Sequence, residues 1–338
     1  MPDAQAQERP IIAVTLGDPA GIGPEVVLKA LADPETRSLA TWVIVGDRDI
    51  CDRAQREAGI PLESMDSVSV RHVDALNGHA VVPGRLDAAC GRAAVAYVRE
   101  ATDLCLRGDA VAMVTAPLNK EAVALSGLAF SGHTEYIAAR CGAPDSRMML
   151  THPRLSVVHV TTHAALRDAC NASSDRIART ISLGHQAMQW LGLSRPRIAV
   201  CGLNPHASEH GLFGCEEATA IRPAVEAARA AGLSCEGPFA ADTICLDAWR
   251  GQWDLVVAMY HDQGHIPMKL LDFAHTVNMT LGIPIVRTSV DHGTAFDIAG
   301  RNVADSTNMM AALRLAARIR PHRAASPAAA PHTKGLRA

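Results

Sequence analysis

Apolar residues along this chain gather in short β-branched runs that stop at polar or glycine-rich turns, and these runs alternate with longer stretches of helical spacing. Ile11 to Leu16 is such a run; the glycine turn Gly17 to Glu25 and the helical pattern Val26 to Leu31 follow it. Pro24 suits a first helical turn, where its missing N–H costs nothing, and Glu25 complements the positive end of the helix dipole. Further strands are expected at Trp42 to Val45, Ala110 to Val114, Leu155 to Thr162, Arg197 to Leu203 and Asp254 to Met259. Thr276 to Arg287 alternates like one more strand. Helices are expected at Ala88 to Leu106, through Arg140 after Phe130 to Tyr136, at Arg176 to Leu191 and at Pro223 to Ala231. Strands alternating with helices predict an α/β protein of layered domains.

The ends of these runs carry unusual chemistry. Val256 to Met259 stops at Tyr260-His261-Asp262-Gln263-Gly264-His265, with Lys269 shortly after, where a simple turn would need only Asn, Gly or Asp. His163 and His206 also follow predicted strands, and the carboxyl ends of strands are where α/β proteins bind ligands. Three imidazoles meeting at one edge would form a metal site with positions open to water or substrate; the plain alternative is a polar loop with incidental histidines. His159, alternating with apolar neighbours, reads as a packed histidine. His133 and Thr134 at a helix N-terminus suit an anion, the alternative being a helix cap made by the Thr134 hydroxyl. Arg287 and Lys269 are candidate clamps for phosphate or carboxylate, or else members of surface ion pairs, and Asn278 accompanies them. Asp291 to Gly300 reads as a glycine-bounded turn and short helix suited to approach a nucleotide, while Gly17 to Gly23 does not match GxGxxG.

Composition narrows the class. With 338 residues, 48% hydrophobic, 20% charged and a net charge of -3, the chain is expected to bury a large core and to present no field for nucleic acid or membrane. The longest apolar runs fall short of the roughly 20 residues that a membrane helix needs, and Met1 to Pro10 is polar without a signal-peptide core, so a cytoplasmic protein is expected. Nine scattered cysteines with no CxxC pair argue against a disulfide framework. The Ala/Pro/basic stretch 321–338 has no periodic apolar face and reads as a disordered tail.

Five segments, Gly17 to Glu25, Ser131 to Glu135, Gly202 to Ala207, Tyr260 to Gly264 and Arg287 to Ala295, resemble those of the 4-hydroxythreonine-4-phosphate dehydrogenase family of vitamin B6 synthesis, in the same order, and the likeness runs from about Ile11 to Leu315. The resemblance implies two α/β/α layered domains with a cleft between them, as in isopropylmalate and isocitrate dehydrogenases: residues 1–130 with 290–320, and residues 131–289. It implies a divalent metal (Zn, Mg, Co or Mn) on His163, His206 and His261, with ligands from both subunits of a homodimer. Substrate contacts would fall on His133, Thr134, Lys269, Asn278 and Arg287, and NAD or NADP on the turn His292, Gly293, Thr294, Ala295 and Asp297. Lys269, Asp242 and Asp262 are the candidates for proton transfer or ligand orientation. The implied reaction oxidises the secondary alcohol of a small phosphorylated hydroxy acid, 4-hydroxy-L-threonine 4-phosphate, and decarboxylates it to 3-amino-2-oxopropyl phosphate. His265-Ile266-Pro267-Met268 is closer to the branch that acts on 4-phospho-D-threonate or 4-phospho-D-erythronate, giving dihydroxyacetone phosphate. A cis-dihydrodiol dehydrogenase or a non-catalytic metal or phosphate binder are the remaining alternatives.

Overall fold

The structure, a computed structural model, describes residues 9–143 and 145–319; the tail 321–338 lies outside the described residues. Among the described residues eleven strands form one sheet: β1 (Ile11–Thr15), β2 (Thr41–Gly46), β3 (Val68–His72), β4 (Ala112–Thr115), β5 (Arg147–His152), β6 (Leu155–His159), β7 (Ile198–Cys201), β8 (Cys235–Phe239), β9 (Leu255–Ala258), β10 (Val277–Leu281) and β11 (Val286–Ser289). Their order across the sheet is β3-β2-β1-β4-β11-β10-β5-β6-β9-β7-β8. The two flanks, β3-β2-β1-β4-β11 and β6-β9-β7-β8, are each parallel. Between them the antiparallel steps β11-β10, β10-β5 and β5-β6 reverse the direction. Parallel strands are buried on both faces, which is why β1, β4, β7 and β9 read as continuous apolar runs.

Three sequence expectations are corrected. Thr276 to Arg287 is two strands rather than one: Gly282, at φ 80, lies in the turn of a hairpin that pairs Asn278 with Ser289 and Thr280 with Arg287. The alternating pattern was right for each arm, but the glycine and Pro284 interrupt it. β6 ends at His159, so His163 follows it by four residues instead of closing it. Residues 291–300 form consecutive turns with no helix. Several elements are additional, among them β3, β5, β8, which contains Gly237-Pro238, and a helix His261–Asp272 with Pro267 inside it. Its first turn is polar and its apolar positions are few, so helical periodicity did not stand out.

The core forms two clusters. The larger cluster joins β1, β2 and β4 to the helices Gly23–Ala32, Ala88–Arg107 and Thr307–Arg318. A smaller one, including Leu150, Val157, Ala199, Val256 and Ala258, lies beneath the helices Ala241–Trp249 and His261–Asp272. No helix among the described residues is long and apolar enough to cross a membrane.

Candidate active site

β6, β9 and β7 are adjacent and parallel, so their carboxyl ends share one edge, and the segments leaving that edge carry His163, His261 and His206. The ring centroids of His163 and His261 stand 6.3 Å apart. Each has a carboxylate on one ring nitrogen: His163 Nδ1 is 3.0 Å from Glu135 Oε1, and His261 Nδ1 is 2.6 Å from Asp262 Oδ1. A carboxylate on Nδ1 sets the tautomer and leaves Nε2 as a metal donor, so this pair fits a divalent ion. The hydrogen bond from His163 holds Glu135 below the usual carboxylate range. His206 makes its ring contact elsewhere, 6.4 Å from Phe213, and no trio of His, Cys, Asp or Glu among the described residues of the single chain is placed to hold a metal. The three-histidine set is therefore not assembled within one chain. His206 begins a run of five residues, His206 to His210, with φ between 45 and 67. Left-handed backbone costs each non-glycine residue on the order of 1–2 kcal/mol, so this segment is held by something worth that expense.

Behind His261 the imidazoles continue inward. His265 lies flat against it, centroids 3.6 Å apart and planes 11° apart, and His159 follows at 4.6 Å. Burial lowers the pKa of His265 to about 4 and of His159 to about 3, so both rings are neutral at physiological pH. His159 is the packed histidine its sequence context suggested.

The second half of the site is cationic. Arg287, 3% exposed, donates to the hydroxyls of Thr115 and Thr280 and has no carboxylate partner among the described residues. Burial lowers its pKa to about 9. His133 opens the helix His133–Arg140, whose cap is Gly132 with no side-chain hydrogen bond, so the Thr134-cap alternative is not what forms. Burial, and then the charges of Arg287 and Lys120, hold the His133 imidazole well below its ordinary pKa; its Nε2 is buried without a partner. Asn278 Oδ1 is likewise buried and unpaired. Lys269 Nζ stands 3.5 Å from Asp291 Oδ2, longer than a direct hydrogen bond, and burial raises the Asp291 carboxyl. Asp242, in the first turn of the helix Ala241–Trp249, is exposed and bonds to none of these groups.

The turn His292 to Asp297 packs on the start of the Gly23–Ala32 helix: Ile22 N donates to Thr294 O at 3.0 Å, and Ala295 takes φ 41. Thr294 is buried, whereas Gly293 and Asp297 are exposed. Two sequence motifs 270 residues apart thus meet.

Lys120, Glu135, Asp291 and His265 escaped the sequence reading as site residues. Glu135, Asp291 and His265 stand inside or beside motifs already singled out, and Lys120 follows the Ala110 to Val114 run, but charge pairing and ring stacking are three-dimensional facts that spacing does not show.

A family profile described as "Pyridoxal phosphate biosynthetic protein PdxA" matches residues 38–316. A D-threonate 4-phosphate dehydrogenase of Cupriavidus necator is 46% identical over 93% of this chain and 98% of its own length. A 4-hydroxythreonine-4-phosphate dehydrogenase of Beijerinckia indica is 43% identical over 91% and 95%. The crystal structure of a 4-hydroxythreonine-4-phosphate dehydrogenase from Klebsiella pneumoniae superposes with a TM-score of 0.80 at 42% identity, covering 91% of this chain and 98% of that one. In fold alone the chain is also similar to a β-decarboxylating dehydrogenase of Thermococcus kodakarensis (TM-score 0.50, 14% identity), in line with the isopropylmalate/isocitrate dehydrogenase-like expectation. The chain belongs to the pyridoxal phosphate biosynthetic protein PdxA family, and the relatives just described are named dehydrogenases, so it is an oxidoreductase.

Proposed function

We propose that this protein oxidises the secondary alcohol of a phosphorylated four-carbon acid with NAD or NADP and releases the carboxylate as carbon dioxide, the substrate being D-threonate 4-phosphate. One observation carries the reading: a buried guanidinium, Arg287, with no carboxylate in ion-pair contact among the described residues, near the helix N-terminus that bears His133. A desolvated cation costs several kcal/mol unless an anion compensates it, and a substrate phosphate or carboxylate would do so. Arg287, His133, Thr134 and Asn278 bind and orient the anionic groups. His133, held neutral, contributes a hydrogen bond there instead of a charge.

Of the metals considered, imidazole donors suit Zn or Co better than Mg. When bound, the cation on His163, His261 and a His206 supplied across a homodimer would polarise the substrate hydroxyl, and the nicotinamide, held by His292, Gly293, Thr294, Ala295 and Asp297, would accept the hydride. Asp262 orients His261. Lys269, beside Asp291, delivers the proton to the carbon that carbon dioxide leaves, and Asp242 is the remaining proton-relay candidate. A homodimer is supported by the exposed apolar residues Ile266, Leu270 and Phe273 on the helix that carries His261, joined by Leu212 and Phe213 near His206. The reaction would proceed in the cytoplasm.

4-Hydroxythreonine 4-phosphate is the second reading, supported by the relatives of that name; D-threonate 4-phosphate ranks first on the 46% identical relative and on His265-Ile266-Pro267-Met268. Absorbance of reduced nicotinamide, followed with each acid and a divalent metal, tests both. A kcat/KM at least tenfold higher on D-threonate 4-phosphate is expected. Turnover of neither acid would refute the proposal.

A further inference from the structure

We infer that His265 is a positioning residue that fixes the ring plane of His261. The side chain of His261 is 39% exposed, and its one hydrogen bond is to Asp262, the adjacent residue, whose own side chain is 70% exposed. That single contact leaves the imidazole free to tilt. His265, one helical turn on, closes the inner face: its ring lies parallel to His261 at 3.6 Å, and its Nδ1 is 3.1 Å from the His261 carbonyl oxygen, which anchors the ring to the helix. His265 is braced in turn. His159, fully buried with Nδ1 3.2 Å from Met148 O, packs at 4.6 Å on the sheet side. Gly264 allows this approach, since a Cβ there would overlap His159 Nε2. The three imidazoles form a stack from the sheet to the candidate metal position.

A flat ring is what the position requires. A leucine would fill the volume but let His261 rotate, whereas a phenylalanine would preserve the face and lose only the bond to the carbonyl. The inference rests on the reading of His261 as a metal ligand, so its test reads metal binding directly.

Full-length metal-free protein, its His265→Phe variant and its His265→Leu variant would be titrated with Co²⁺, following the visible absorption of the bound ion, with thermal melting of the metal-free forms as a control. Supporting ligands of this kind contribute roughly 10–100-fold to metal affinity. His265→Leu is therefore expected to weaken Co²⁺ binding about tenfold and alter its spectrum at an unchanged melting temperature. His265→Phe should keep the wild-type spectrum and an affinity within about threefold of wild type. His265→Leu with wild-type affinity and spectrum would overturn the inference, as would equal loss in both variants. Absence of Co²⁺ binding by the wild type would instead defeat the metal reading itself, and this inference with it.

Discussion

Glu135 Oε1 stands 3.0 Å from His163 Nδ1, which ties an imidazole in the segment after β6 to the first turn of the helix that also bears His133. The proposed metal half and the proposed anion half of the site are thus joined through one carboxylate. A Cβ on Gly132 would lie 2.6 Å from Glu135 Oε2, closer than real Cβ atoms come, so Gly132→Ala must displace Glu135. Its expected effect is a loss of metal affinity of about tenfold, measured by competition with a chromophoric chelator, with little change in stability.

Arg287 donates to two threonine hydroxyls and, among the described residues, to no carboxylate. Arg287→Lys keeps the charge but loses the planar fork that matches a phosphate or carboxylate. Its kcat/KM should fall about a hundredfold, on the order of 2–3 kcal/mol, and KM should bear most of the change. Steady-state kinetics read this; an unchanged KM would mean that Arg287 does not touch substrate.

Asp18 is fully buried; Oδ1 accepts from Ala20 N and Oδ2 has no partner. Burial raises its carboxyl to about 6. The folded pKa lies above the unfolded one, so ionised Asp18 destabilises the fold fully above pH 6, progressively less between pH 6 and 3.8, and not at all below. Asp18→Asn should therefore raise stability by about 3 kcal/mol at pH 8 and leave it unchanged at pH 3.5. Thermal melting at the two pH values checks the sign.

Much of the scaffold was legible because burial on both faces of parallel strands writes itself as apolar runs, as at Ile12 to Val14 and Leu255 to Ala258. The shared edge of β6, β9 and β7 followed from those runs and their polar ends. What stayed hidden depended on contacts between distant residues. The hairpin at Gly282 was masked because both its arms alternate, and the helix His261–Asp272 because Gly264 and Pro267 suggest a break. His206 is a different case: it follows a strand end as the sequence implies, and one chain does not bring it to the other two imidazoles.

That last point yields a subunit test. If His206 reaches the site across a dimer interface, inactive His163→Ala and inactive His206→Ala chains should complement one another. Mixed and reassembled in equal amounts, they should regain roughly a quarter of wild-type activity, because half the dimers are mixed and each has one intact site. No recovery in verified mixed dimers would mean that all ligands come from one chain.

The central claim is that His163 and His261 hold a divalent cation with a histidine from a second copy. Crystals of the full-length protein grown with Zn²⁺, with diffraction recorded on either side of the zinc absorption edge, test it most directly. The expected result is one anomalous peak per subunit about 2.1 Å from Nε2 of His163, His261 and His206 of the partner subunit. A saturated crystal with its peak elsewhere, or with no peak, would contradict the account.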